Sequence, residues 1–75
     1  MAAQFEDKDK LRKDKAKKAV AFAMNSQWEE AVTLNLSITH EFPKDIEAFN
    51  RLGKALSELG RNREARQAFQ SVIEV

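Results

Sequence analysis

The 75-residue chain predicts an all-α fold of four antiparallel helices, and three observations carry that expectation. Ala, Leu, Lys, Glu, Arg and Gln dominate, with only two glycines and one proline, and these dominant residues lose little side-chain freedom in a helix. Apolar residues recur at helical spacing: Phe49, Leu52, Gly53 and Leu56 share one stripe, as do Ala65, Phe69, Val72 and Ile73. Breaks fall at Asn25-Ser26, Pro43 and Gly60, which divide the chain into four segments of helical length. A chain this short buries about 60% of the surface its unfolded form exposes. All four helices must therefore share one core, over residues 8–75.

The elements follow in order. Met1 to Asp7 carries no helical apolar stripe and reads as a frayed, disordered or tag-like end. From Lys8 to Lys18 there are seven basic residues (Lys8, Lys10, Arg12, Lys13, Lys15, Lys17, Lys18) against Asp9 and Asp14. Asp9 with Lys13, and Asp14 with Lys10 and Lys18, stand at i,i+4 spacing, which supports a helix by about 0.2–0.5 kcal/mol per pair. Leu11, Lys15, Ala19 and Phe22 continue one face, so the first helix is expected over roughly Lys8 to Met24. Ser26 stands three residues before Glu29, the capping-box spacing, which predicts a helix start near Gln27. That helix runs through Trp28, Ala31, Val32, Leu34 and Ile38 to about His40. Pro43 forbids continuation and biases Phe42 away from helical angles. Asp45 is a good N-cap for a third helix over Ile46 to Leu59. Gly60 ends it as the usual left-handed residue, and Arg61 or Asn62 opens the fourth.

Composition excludes several functions. No cysteine is present, so neither disulfides nor thiolate metal sites arise, and no apolar run is long enough for a signal peptide or a membrane span. A cytoplasmic protein is expected. His40 is the single histidine, at a helix end, with no Cys, His or carboxylate pair at ligand spacing; it reads as a solvated or C-capping residue. No nucleophile has a base at identifiable spacing, and Gly53 and Gly60 form no phosphate-cradling loop. Glu29 and Glu30 support a helix start through the macrodipole. No catalytic residue, metal, cofactor or small-molecule substrate is expected.

Shifting the sequence against itself by thirty-four residues superimposes Ala19 on Gly53, Phe22 on Leu56, Ser26 on Gly60, Glu30 on Glu64, Ala31 on Ala65 and Ile38 on Val72. Small and large positions coincide together. With the pattern Phe49-x-x-Leu52-Gly53-x-x-Leu56 followed by Ala65-x-x-x-Phe69, the chain resembles the tetratricopeptide repeat, a helix–turn–helix unit of about 34 residues. The resemblance covers nearly everything after residue 11. It implies two repeats, about 12–45 and 46–75, forming a right-handed α-solenoid fragment. The first repeat departs from the pattern at Lys15, Lys18 and Asn35, and an uncovered terminal face accounts for the two lysines. Asn35 is expected at the edge of the core with a backbone partner. Trp28, aligned with Asn62, falls where the family buries an aromatic between the two helices of one repeat.

The resemblance further implies a protein–protein interaction scaffold that binds a peptide or helix in a concave groove lined by the first helix of each repeat. Those positions are Lys13, Ala16, Val20, Ala23 and Met24, then Glu47, Asn50, Lys54, Ser57 and Glu58. Family members that hold the C-terminal carboxylate of heat-shock chaperones use a Lys and an Asn where this chain has Ala16 and Val20, so that clamp is absent. A competing reading is nucleic-acid or acidic-surface binding through Lys8 to Lys18, which lacks interleaved aromatics. Each repeat also leaves an apolar face for a neighbour. Phe69, Val72 and Ile73 on the last helix would therefore mediate self-association, as a two-fold homodimer, or meet further repeats of a longer protein.

Overall fold

Capping residues and apolar stripes divide the described residues into four helices: α1 (Ala3–Met24), α2 (Trp28–Glu41), α3 (Ile46–Glu58) and α4 (Asn62–Glu74). The computed structural model describes residues 3–74 and, within them, the side chains of residues 7–72. The expectation placed on the Ile73 side chain, and the part of the terminal expectation that falls on Met1 and Ala2, lie outside the described residues and side chains. α1 opens at Ala3, five residues before the expected start at Lys8. The remaining boundaries agree to within one residue. Asp45 caps α3 through its Oδ1, which accepts the Ala48 N–H at 3.1 Å. Phe42, immediately before Pro43, leaves the helical region (φ −126°, ψ 78°) and its N–H closes α2 on the Ile38 carbonyl at 2.7 Å, as a pre-proline residue must.

The turns α1–α2 and α3–α4 are the same structure. At Ser26 the backbone is left-handed (φ +58°), and at Gly60, thirty-four residues on, it is left-handed again (φ +77°). Gln27 N–H donates to the Phe22 carbonyl at 2.8 Å and Ser26 N–H to Ala23 at 3.0 Å; Arg61 donates to Leu56 at 2.9 Å and Gly60 to Ser57 at 3.0 Å. Both pairs are the 6→1 and 5→2 bonds of a Schellman helix end. The expected capping box at Ser26 is therefore replaced. Its left-handed backbone commits Ser26 to ending α1, and Gln27 becomes the N-cap of α2 without a side-chain cap bond.

Packing rests on small residues. Ala19, Ala31, Ala48, Ala55, Ala65 and Ala68 are all buried, and Leu52, Leu56 and Val32 fill the space between them. Phe22, Ala23, Trp28 and Leu59 pack around that cluster. Gly53 is the tightest point: a Cβ built there would stand 2.5 Å from Cε1 of Phe69, so the ring of α4 lies on the α3 backbone.

Each helix packs on the next, and α1 also meets α3. Arg12 pairs with Asp45 near the N-terminal end of α3, while Ala23 and Met24 stand beside Arg51 and Lys54 further along it. α1 and α3 thus run in the same direction. The radius of gyration is 12.7 Å with extents of 44 × 30 × 13 Å, against about 11 Å for a globule of this length. The chain is a slab with two broad faces.

Two predictions follow from these contacts. Gly53→Leu should lower stability by about 1–3 kcal/mol despite its better helix propensity. Gly53→Ala should become stabilising, by up to about 1 kcal/mol, only once Phe69→Ala has removed the ring. Urea melts of Gly53→Leu and of the four chains of that cycle check both. At the turns, Ser26→Gly should raise stability by roughly 0.5–1 kcal/mol by relieving the left-handed serine, and Gly60→Ala should cost about 1 kcal/mol or more. No atom lies within 4 Å of a Cβ at Gly60, so that loss reports backbone conformation alone, and thermal melts of the two variants should move in opposite directions.

Candidate functional site

Where α1 and α3 run side by side, Val20, Ala23 and Met24 form one wall of a depression and Arg51 and Lys54 form the other, with Trp28 at the start of α2 between them. Helical spacing produces each wall: Val20, Ala23 and Met24 lie at i, i+3 and i+4 of α1, and Arg51 and Lys54 at i and i+3 of α3. The depression has a volume of about 310 Å³, at the lower end for ligand pockets and suited to one or two large side chains. Met24 is 80% exposed and Val20 41%. An unbranched thioether in water at the rim of an apolar hollow is an adaptable contact. The Lys54 ammonium sits 5.9 Å from the Trp28 ring centre, within reach of the ring's negative face. Lys54 also bonds Glu58 one turn on, at 3.3 Å.

Arg51 is set by a buried polar pair. Asn35, 1% exposed, sits inside the core rather than at its edge. Its Nδ2 donates to the Ala31 carbonyl at 3.0 Å, and its Oδ1 accepts Arg51 Nε–H at 3.0 Å. The backbone partner anticipated for Asn35 exists, and the larger feature is the bond across to α3. Among the described residues no carboxylate lies within 4 Å of the guanidinium, and Arg51 Nη2 is buried with no hydrogen-bond partner. A half-buried guanidinium held by a neutral amide keeps a charge that nothing in the described chain neutralises.

The basic stretch of α1 is different, because its own carboxylates occupy much of it. Arg12 bonds Asp9 at 2.8 Å and Asp45 at 3.1 Å, and its guanidinium carbon stands 5.9 Å from the Phe42 ring centre. The Arg12 hydrogen bond, helped by Lys13, holds the Asp9 carboxyl below its ordinary value, and the bonds to Asp9 and then Asp45 raise Arg12. Lys13 pairs with Asp9 at 3.4 Å as the spacing predicts, whereas the expected pairs of Asp14 with Lys10 and Lys18 are not formed. Lys15 does not lie on an uncovered face. It reaches across to α2, bonding Ser37 Oγ at 2.9 Å and Glu41 at 3.6 Å.

Of the residues placed in the groove from sequence, Val20, Ala23, Met24 and Lys54 come together at this depression. Glu47 lies apart, in a second hollow with Arg12, Phe42, Pro43 and Ile46. Lys13, Asn50 and Ser57 are exposed and Ala16 is half-buried. Arg51 lies outside the positions placed from sequence, and Trp28, expected between the two helices of its repeat, is half-buried and shared between core and hollow. The signal for Arg51 was Asn35 itself: a polar residue on the inward face of α2 requires a polar partner on a neighbouring helix. On α4, Phe69 is 39% exposed and Val72 half-buried.

Among the described residues no three His, Asp or Glu side chains gather into a metal-binding group, and no helix is long and apolar enough to cross a membrane. His40 is exposed in the last turn of α2. Comparison with protein-family models, with curated proteins and with solved structures finds no significant match. The reading of this site rests on its own residues.

The Asn35–Arg51 pair makes a testable unit. Asn35→Leu alone leaves Arg51 Nε without its acceptor and should cost about 1–3 kcal/mol, while adding Arg51→Met should recover much of that loss. A double-mutant cycle in urea measures it, and strictly additive losses would mean the two side chains are energetically independent.

Proposed function

We propose that the chain is a tetratricopeptide-type module, a protein–protein interaction scaffold that holds a segment of a partner protein against the face shared by α1 and α3. One observation carries this reading: the same Schellman-ended turn, with the same pair of backbone hydrogen bonds, recurs at the thirty-four-residue offset that also superimposes the sequence on itself. A hairpin repeated in this way sets the first helices of the two units side by side. The co-directional contact of α1 with α3 supports that arrangement. A groove between such helices recognises peptides or helices by shape and pockets and needs no catalytic group.

Binding of nucleic acid through Lys8 to Lys18 ranks below it, because Arg12, Lys13 and Lys15 are already tied to Asp9, Asp45 and Glu41. Affinity capture from the source cell tests the scaffold reading, comparing the parent chain with one carrying Lys13→Glu, Asn50→Glu and Lys54→Glu. All three positions are exposed, so the fold should be unaffected and the captured protein should be lost. Capture that is unchanged by these substitutions places the binding surface elsewhere. Binding of a short oligonucleotide that weakens steeply with salt would favour the electrostatic reading instead.

A further inference from the structure

Granted the scaffold reading above, we infer that the hollow of Val20, Ala23, Met24, Trp28, Arg51 and Lys54 takes one large apolar side chain of a partner protein whose adjacent acidic side chain pairs with Arg51. The hollow's surface is almost wholly apolar, so Arg51 and Lys54 close the α3 side through their aliphatic stems. The volume of about 310 Å³ suits a Leu, Met or Phe anchor but not a whole helix face.

Arg51 supplies the chemistry. Asn35 fixes its Nε, and among the described residues no carboxylate lies within 4 Å of it. The guanidinium is thus held in place before any partner arrives, and its charge lacks an anion. An incoming carboxylate supplies that anion at little cost in side-chain ordering. Lys54 assists, since its link to Glu58 is an exposed i,i+4 pair of the kind that exchanges partners at small cost. Lys17, one turn before Val20, is exposed and unpaired among the described residues. It extends the positive potential along α1 and disfavours basic segments.

The acid is a side chain rather than a chain end. Both cationic side chains of the hollow stand on α3, while the α1 wall opposite presents Val20, Ala23 and Met24. A carboxylate projecting sideways from a continuing segment can be held from one wall alone.

Selection of a random peptide library displayed on phage, in formats leaving either peptide end free, tests the proposal. Enriched peptides are synthesised with free and with amidated C-termini and measured by fluorescence anisotropy. The expected consensus places Asp or Glu beside Leu, Ile, Met or Phe, and amidation leaves affinity unchanged. Met24→Glu and Lys54→Glu, both at exposed positions, should each weaken binding about tenfold or more with unaltered circular dichroism. Arg51→Met should weaken it at least as much, and if that variant unfolds the other two decide. Peptides that bind equally well to Met24→Glu and Lys54→Glu overturn this pocket while leaving the scaffold reading standing. A basic consensus, or dependence on a free C-terminus, overturns the acidic side-chain partner. No enrichment from any format overturns both readings.

Discussion

Close approach of helix backbones is the constraint on which the rest of this structure depends. Seventy-five residues cannot build a thick core, so the stabilising area must come from helices that nearly touch. Alanine makes that approach: among the described residues six alanines are buried, and Ile38 is the largest apolar side chain to be fully enclosed. At Gly53 even a methyl group is excluded, because Phe69 already occupies its place. The roughly 1 kcal/mol that a mid-helix glycine costs is set against an aromatic ring laid on the α3 backbone. Flatness follows from the same economy of depth, since single layers of closely spaced helices extend sideways rather than wrapping round a centre.

Much of this was legible because the signals are local. Pro43, Asp45 and Gly60 act through bonds within a few residues of themselves, and the helix boundaries they predict hold. Ser26 misled for an equally local reason. Ser-x-x-Glu fits a capping box, while a serine in the left-handed region is uncommon, and only the correspondence with Gly60 pointed to the turn actually formed. The start of α1 was hidden because residues 3–7 lack an apolar stripe, and the polar first turns of a long helix can be carried by the packed turns that follow. Four of the six residues of the candidate site were legible, its α1 wall and Lys54. Arg51 was not, because its role depends on Asn35, sixteen residues away on another helix; an inward-facing amide announces that a polar partner is needed but not which residue supplies it.

The correspondence between the two halves accounts for where the polar site arises. At the thirty-four-residue offset Gly53 corresponds to Ala19, and Phe69 corresponds to Asn35. In the second half the glycine accepts a ring; in the first, the alanine keeps its methyl group and the residue in the ring's position is a short amide. The two substitutions compensate in volume, and core packing tolerates paired changes of that kind better than single ones.

Exposure then separates the fates of the two equivalent positions. α2 is covered by α3, so Asn35 must satisfy its amide inside the protein, and it does so on the Ala31 carbonyl and Arg51. α4 packs on α3 alone among the described helices, and Phe69 keeps 39% of its surface in water. An amide in the covered position draws an arginine to the helix interface and holds it by one nitrogen, which leaves a cation at the edge of an apolar hollow. A leucine at position 35 would have given a drier interface and no reason for a charge there. The chemistry of the groove therefore originates in the one core position where the first half of the chain departs most from the second.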